Sequence, residues 1–216
     1  MTRDALSMPS TTVIRRFIKP ALFFLCALPL LSLVWAAFGI GGASLGANPV
    51  ERIQDTFGQW GLRFLVITLA VTPVRDWFNL PWLVQLRRML GLYAFFYVLL
   101  HFLTWLILDQ GLYWSGVLVD IGKRPFITIG FAALVLLIPL AVTSTNGMMR
   151  RLGKRWKKLH RLIYVISLLA VWHYYWQVKS DVTEPLIYLA IVLGLLGWRI
   201  WKVRPRRAQS SVANVG

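Results

Sequence analysis

The sequence predicts an all-α fold: a polytopic membrane protein, six transmembrane helices in a bundle, both termini cytoplasmic. Three observations carry this. Of 216 residues, 57% are hydrophobic and only 15% charged, against about 25% charged in a soluble domain. The apolar residues form continuous runs, several near the ~20 residues that cross a bilayer, rather than the alternation of barrel strands. The Lys and Arg residues fall in the gaps between runs, dense in every second gap.

The first span is Pro20–Phe38, an apolar run longer than the roughly 7–15 residues of a signal-peptide core and so read as a retained helix. The segment Asn48–Trp60 then opens with Asn48 as cap, Pro49 at the first position and Glu51 in the first turn. Ile53, Phe57 and Trp60 recur at helical spacing, which predicts a short helix lying on the outer membrane face. The second span, Trp60–Val74, is ended by Pro73 and the Arg75–Asp76 pair. The third is Met89–Leu108, the fourth Phe126–Thr143, the fifth Leu159–Val178 and the sixth Pro185–Trp201. Pro29 and Pro139 fall inside spans, which bundles tolerate where neighbours re-satisfy freed backbone groups. The domain layout is a cytoplasmic tail over 1–17, the six-helix domain over 18–202, and a basic cytoplasmic tail over 203–216.

Charge placement sets the orientation. Nineteen of the 24 Lys and Arg residues lie in the N-terminal tail, the second-to-third and fourth-to-fifth connections, and the C-terminal end. The other side has Arg52, Arg63, Lys123, Arg124 and Lys179, together with six of the eight acids. Cytoplasmic loops carry the excess of Lys and Arg, so both termini are expected inside. The run Arg150–Lys158 reads as an anchor on anionic lipid. The net charge of +16, distributed this way, does not read as a nucleic-acid patch.

The three histidines are His101, His160 and His173. An ionisable residue at membrane depth is a functional-site hypothesis by default, and neutral imidazole is a common iron ligand. Counting from the inner ends of their spans, His101 lies roughly 18 Å and His173 roughly 21 Å deep. Two imidazoles at matched depth on different helices have the arrangement of a bis-histidine b-type haem; the alternative is a pair of helix–helix hydrogen-bonding residues. His160 sits at the inner end of span five, 13 residues before His173, some 140° away around an ideal helix. It has no histidine partner at its own depth, where Arg87, Arg88 and Met89 stand instead. Arg87, Arg88 and Arg161 suit haem propionates or a flavin phosphate, and Met89 could ligate iron. The aromatics Trp172, Tyr174, Tyr175 and Trp176 read as an interfacial belt.

The single cysteine, Cys26, allows no internal disulfide and no cysteine metal cluster. There is no Gly-rich dinucleotide fingerprint, phosphate loop or HExxH. No nicotinamide or flavin-adenine domain is expected in fusion, so electrons must come from quinol, bound flavin or a separate reductase. A self-sufficient ferric or oxygen reductase and a non-redox membrane scaffold are the rival functions.

Four stretches then carry a resemblance: NPVERIQDTFGQWGLRFLVITLAVTPVRDW (48–77), RRMLGLYAFFYVLLHFLTW (87–105), RPFITIGFAALVLLIPLAVTSTNGMMRRLGKRWKKLHRLIYV (124–165) and HYYWQVKSD (173–181). They resemble the MsrQ (YedZ) family, the haem-binding membrane subunits of bacterial periplasmic methionine-sulfoxide reductase systems, within the ferric-reductase-like transmembrane group. The resemblance implies that His101, His160 and His173 are the haem-associated histidines, with one haem b or two and FMN as a further cofactor. It implies electron transfer from the quinone pool, or through a cytoplasmic flavin reductase, to the periplasmic molybdopterin subunit MsrP, which reduces methionine sulfoxide in proteins. It also implies a bacterial inner-membrane location. Related oxidases commonly use two histidine pairs; this chain has three histidines.

Overall fold

The structure is a computed structural model that describes residues 9–212, with side chains to residue 202. Of the expected tails, residues 1–8 and 213–216 and the side chains of 203–212 lie outside the described residues. The described chain is all helix and turn: α1 (Thr11–Ala37), α2 (Pro49–Phe78), α3 (Arg87–Asp109), α4 (Trp114–Lys123), α5 (Pro125–Val142), α6 (Asn146–Leu152), α7 (Lys154–Leu159), α8 (Leu162–Gln177) and α9 (Thr183–Val212). By length and composition α1, α2, α3, α5 and the first 20 residues of α9 can each cross a membrane. The protein is an all-α polytopic membrane protein. Phe24 and Leu25 on α1 are 66% and 59% exposed, an apolar surface of the kind lipid covers.

Two expectations change. Asn48 caps as read, its side chain accepting from the Glu51 N–H with Pro49 in the first turn. The helix it starts is not a separate surface piece, however; it continues without a break for 30 residues to Phe78. The positions that suggested an amphipathic surface helix do face protein: Phe57 is buried and Ile53 and Trp60 pack on the core. The expected fifth span is also shorter. Gly153, at φ 49°, separates α6 from α7, and the turn at His160–Arg161 separates α7 from α8. That leaves α8 with 16 residues, about 24 Å of helix, and puts His160 outside it.

The core lies between α2 and α3, where Leu65, Leu69, Ala94 and Tyr97 are 1% exposed or less. Small residues let these helices approach: a Cβ on Gly61 would come 2.8 Å from Val98 Cγ2. The α5–α8 pair forms the second packed hairpin, and α9 covers Leu62 and Val171 through Val192.

Beside two prolines, polar side chains from other helices bond the backbone. Pro73 has no N–H for the Leu69 carbonyl, and Arg199 on α9 donates to that oxygen through Nη2 at 2.7 Å. Its Nη1 donates to the Tyr164 hydroxyl at 2.7 Å, with the guanidinium 5.1 Å over the ring. Beside Pro29, the Tyr97 hydroxyl accepts from the Leu30 N–H at 3.2 Å and donates to the Cys26 carbonyl at 2.8 Å. In hydrocarbon an unsatisfied backbone group costs several kcal/mol, so the Arg199 bond compensates the carbonyl that Pro73 frees, while the Tyr97 bridge reinforces the turn beside Pro29.

Candidate functional site

The packed hairpins α2–α3 and α5–α8 meet around a cavity of ≈ 450 Å³, within the range of ligand pockets. His101 from α3 and His173 from α8 both line it. Their ring centroids are 6.0 Å apart and the ring planes 80° to one another. The two histidines expected at one depth are the two whose rings meet here.

Each ring is fixed in the same way. His101 Nδ1 lies 2.9 Å from the Gln54 carbonyl of α2, and His173 Nδ1 lies 2.7 Å from the Phe126 carbonyl of α5. A carbonyl oxygen only accepts, so Nδ1 carries the proton in both rings and Nε2 keeps its lone pair. This is the tautomer a metal-binding imidazole needs, with the second nitrogen held by a backbone carbonyl. The Gln54 amide Nε2 lies 3.5 Å from His101 Nε2, and its Oε1 is buried without a partner.

The donor set points to a particular metal chemistry. Among the described residues no group of three or more His, Cys, Asp or Glu is placed to hold a bare ion. Two opposed imidazoles suit an iron whose remaining ligands come with it, as in a haem with two axial histidines. The two rings stand 6.0 Å apart at the cavity, close enough for both to serve one such group. The residues present fit the group.

The cavity rim carries Glu51, Asp55, Asp109 and Arg124. Arg124, which the sequence reading counted only as an outer charge, is the cation among the lining residues and pairs with Asp120 at 3.3 Å. Of the expected belt aromatics, Trp172, Tyr175 and Trp176 are exposed. Tyr174 instead lines the cavity and donates to Glu184 at 2.6 Å.

Arg87, Arg88, Arg161 and His160 lie at the other end of the bundle, and none of them lines this cavity. Nor does the structure gather the three arginines. Arg88 donates to the Asn146 side chain, Arg161 is exposed, and Arg87 is half-buried, with Arg75, Arg199 and Tyr164 within electrostatic reach. Met89 packs against the core. His160 stacks on Trp156 at 3.8 Å and 26°, and its Nδ1 lies 3.2 Å from the Trp156 carbonyl one turn earlier. His160 Nε2 is buried without a hydrogen-bond partner, and Arg87 is the charge that acts on it.

Sequence reasoning passed over Gly58, Gly130, Gln54 and Arg124. The glycines had a readable signal: Gly58 precedes His101 by 43 residues, and Gly130 precedes His173 by the same 43.

Comparison with known proteins identifies the family. Residues 57–171 match the family described as ferric reductase like transmembrane component, a stretch that includes His101 and His160. A protein-methionine-sulfoxide reductase heme-binding subunit MsrQ from Xanthomonas euvesicatoria pv. vesicatoria is 52% identical over 168 residues, covering 78% of this chain and 77% of that protein. The protein of the same name from Ralstonia nicotianae is 49% identical over 203 residues, 92% of this chain and 91% of the relative. No solved structure matches. Through the family model and these relatives, the chain belongs to the ferric-reductase-like transmembrane family and, within it, to the MsrQ group.

Proposed function

We propose that the chain is the haem-binding membrane subunit of a bacterial protein-methionine-sulfoxide reductase system, holding haem b between His101 and His173. The observation that carries this is the opposed pair itself: two imidazoles from separate hairpins, 6.0 Å apart, each with Nδ1 on a backbone carbonyl. Bound between them, haem iron supplies one-electron transfer. The chain would set where that happens: the carbonyl partners make the imidazoles better donors, and the helices around the cavity would exclude water and hold His101 and His173, whose identity as ligands would tune potential.

In this reading the positive-inside bias supports cytoplasmic termini and a cavity in the outer half of the membrane, the bacterial inner membrane that the resemblance implies. Electrons enter at the basic end from the quinone pool, or through FMN or a cytoplasmic flavin reductase. They leave at the cavity end for the periplasmic molybdopterin subunit MsrP, which reduces methionine sulfoxide. At the basic end the unpartnered His160 Nε2 suits a second haem iron. Arg87, with Arg88 and Arg161 further out, supplies cations for a propionate, a flavin phosphate or a reduced quinone. Arg124 is the rim cation suited to a carboxylate of the cavity haem. The relatives' names support the haem-binding and methionine-sulfoxide-reductase parts of this reading; the donor and acceptor roles follow only from the resemblance of the sequence blocks.

A reduced-minus-oxidised spectrum of the purified protein tests the reading. A b-type α-band is expected, lost from the cavity site in the His101→Ala/His173→Ala variant. A colourless wild type, or full haem retention in that variant, overturns it.

A further inference from the structure

The two histidine sites are copies of one unit. His101 Nδ1 and the Gln54 carbonyl are 47 residues apart in sequence, and His173 Nδ1 and the Phe126 carbonyl are likewise 47 apart. Each carbonyl is followed four residues later, one helical turn on, by a glycine: Gly58 after Gln54 and Gly130 after Phe126. Positions 54, 58 and 101 map onto 126, 130 and 173 by one shift of 72 residues.

The glycines are where the rings lie. A Cβ on Gly58 would stand 2.9 Å from His101 Nδ1 and 3.0 Å from Cε1. A Cβ on Gly130 would stand 2.7 Å from His173 Nδ1 and 2.8 Å from Cε1. In both cases the atom that collides is the nitrogen that makes the hydrogen bond. The reason is geometric. A helix carbonyl points along the axis toward the N–H four residues on, so a ring that reaches the oxygen from outside the helix must pass over that later residue. Any side chain there lifts the ring off the carbonyl.

We infer that Gly58 and Gly130 are positioning residues for the two haem ligands, each admitting an imidazole to a main-chain carbonyl that fixes its tautomer and aims Nε2 into the cavity. The inference rests on the haem reading proposed above. It adds two residues that touch neither metal nor substrate and act through the histidines. It also makes the bis-histidine site a duplicated Gly–carbonyl–His unit, one copy on each hairpin.

The test uses the full-length protein in detergent, titrated with ferric haem b. Gly58→Ala and Gly130→Ala are each expected to weaken haem binding about 10- to 100-fold, the usual cost of losing an outer partner of a metal-bound histidine. Each is also expected to shift the midpoint potential and the low-spin ferric EPR signature. Gly61→Ala is the control for crowding. Its Cβ would meet Val98 at 2.8 Å in the same α2–α3 contact, so it is expected to lower the melting temperature and leave potential and EPR unchanged. Unchanged haem affinity and potential in both variants overturns the inference, as does a Gly61→Ala variant with the same spectroscopic shifts. Should an alanine variant fail to fold, wild-type haem protein moved into D2O still decides. Pulsed EPR is expected to find the imidazole Nδ1 protons protected from exchange, and free exchange at both rings overturns the inference. A wild type that takes up no haem instead defeats the functional proposal on which this stands.

Discussion

The two ends of the bundle hold imidazoles by the same chemistry and reach different results. At the cavity end, His101 and His173 each hydrogen-bond a carbonyl on a neighbouring helix, so α2 and α5 decide where the rings point. At the basic end, His160 bonds the carbonyl of Trp156 one turn back in its own chain and stacks on that residue's ring. Its direction is set locally, and no second imidazole answers it. Two rings steered by different helices can be brought face to face across a gap. A ring steered by its own turn presents its other nitrogen to the adjoining space, where the Leu140 carbonyl and the Arg87 charge both act on it.

The largest expected effect separates the two ends directly. His101→Ala should abolish the cavity haem, while His160→Ala should leave that haem's α-band and EPR signal in place; redox-difference spectra of the two variants check this. Equal loss in both would mean that the two ends form one site.

Next come the bridges that hold the hairpins. Arg199→Ala strips the Leu69 carbonyl of its donor beside Pro73 and removes the contact with Tyr164. It should cost about 2–3 kcal/mol, seen as a lowered melting temperature with the cavity haem spectrum retained. Tyr97→Phe removes the hydroxyl that spans the Leu30 N–H and Cys26 carbonyl, at a cost of about 1–2 kcal/mol. Because Tyr97 lies one turn before His101 on α3, the melting curve should be followed at the haem band as well as by tryptophan fluorescence. Coincident curves are expected. The smallest effect is at the rim. Arg124→Gln should weaken haem retention by no more than about 1 kcal/mol, in keeping with a largely exposed cation, and lower the midpoint potential by removing a positive charge. A haem titration with a potentiometric readout measures both.

The cavity pair was legible because depth follows from helix rise. Once the spans and their direction are read, 12 residues past Met89 and 14 past Leu159 fall at one level, and a polar ring at that level has few other polar residues to meet. His160 was misplaced for an equally physical reason. The sequence from Leu159 to Val178 is apolar enough to read as one helix. The break at His160–Arg161 comes after the short α7, itself set off by a glycine with positive φ at 153. The Asn48 cap was read correctly, but the helix length was not, because Ile53, Phe57 and Trp60 face protein where a surface helix would face lipid. Arg87, Arg88 and Arg161 looked like one group because they share an end of the bundle; their side chains part company once Arg88 finds Asn146 and Arg161 turns outward.

Sequence by itself determined the membrane class, the order of the spans, the Asn48 cap and the pairing of His101 with His173, because hydropathy, charge placement and helix rise are properties of the chain taken in order. Only the tertiary structure decided which carbonyl each imidazole meets, that Gly58 and Gly130 make room for it, that Arg199 answers Pro73, and that Arg124 stands at the cavity rim. All of these depend on how the helices pack; for the two imidazoles the approach requires a missing Cβ on one helix and a ring on the other, residues separated by 43 positions in the chain.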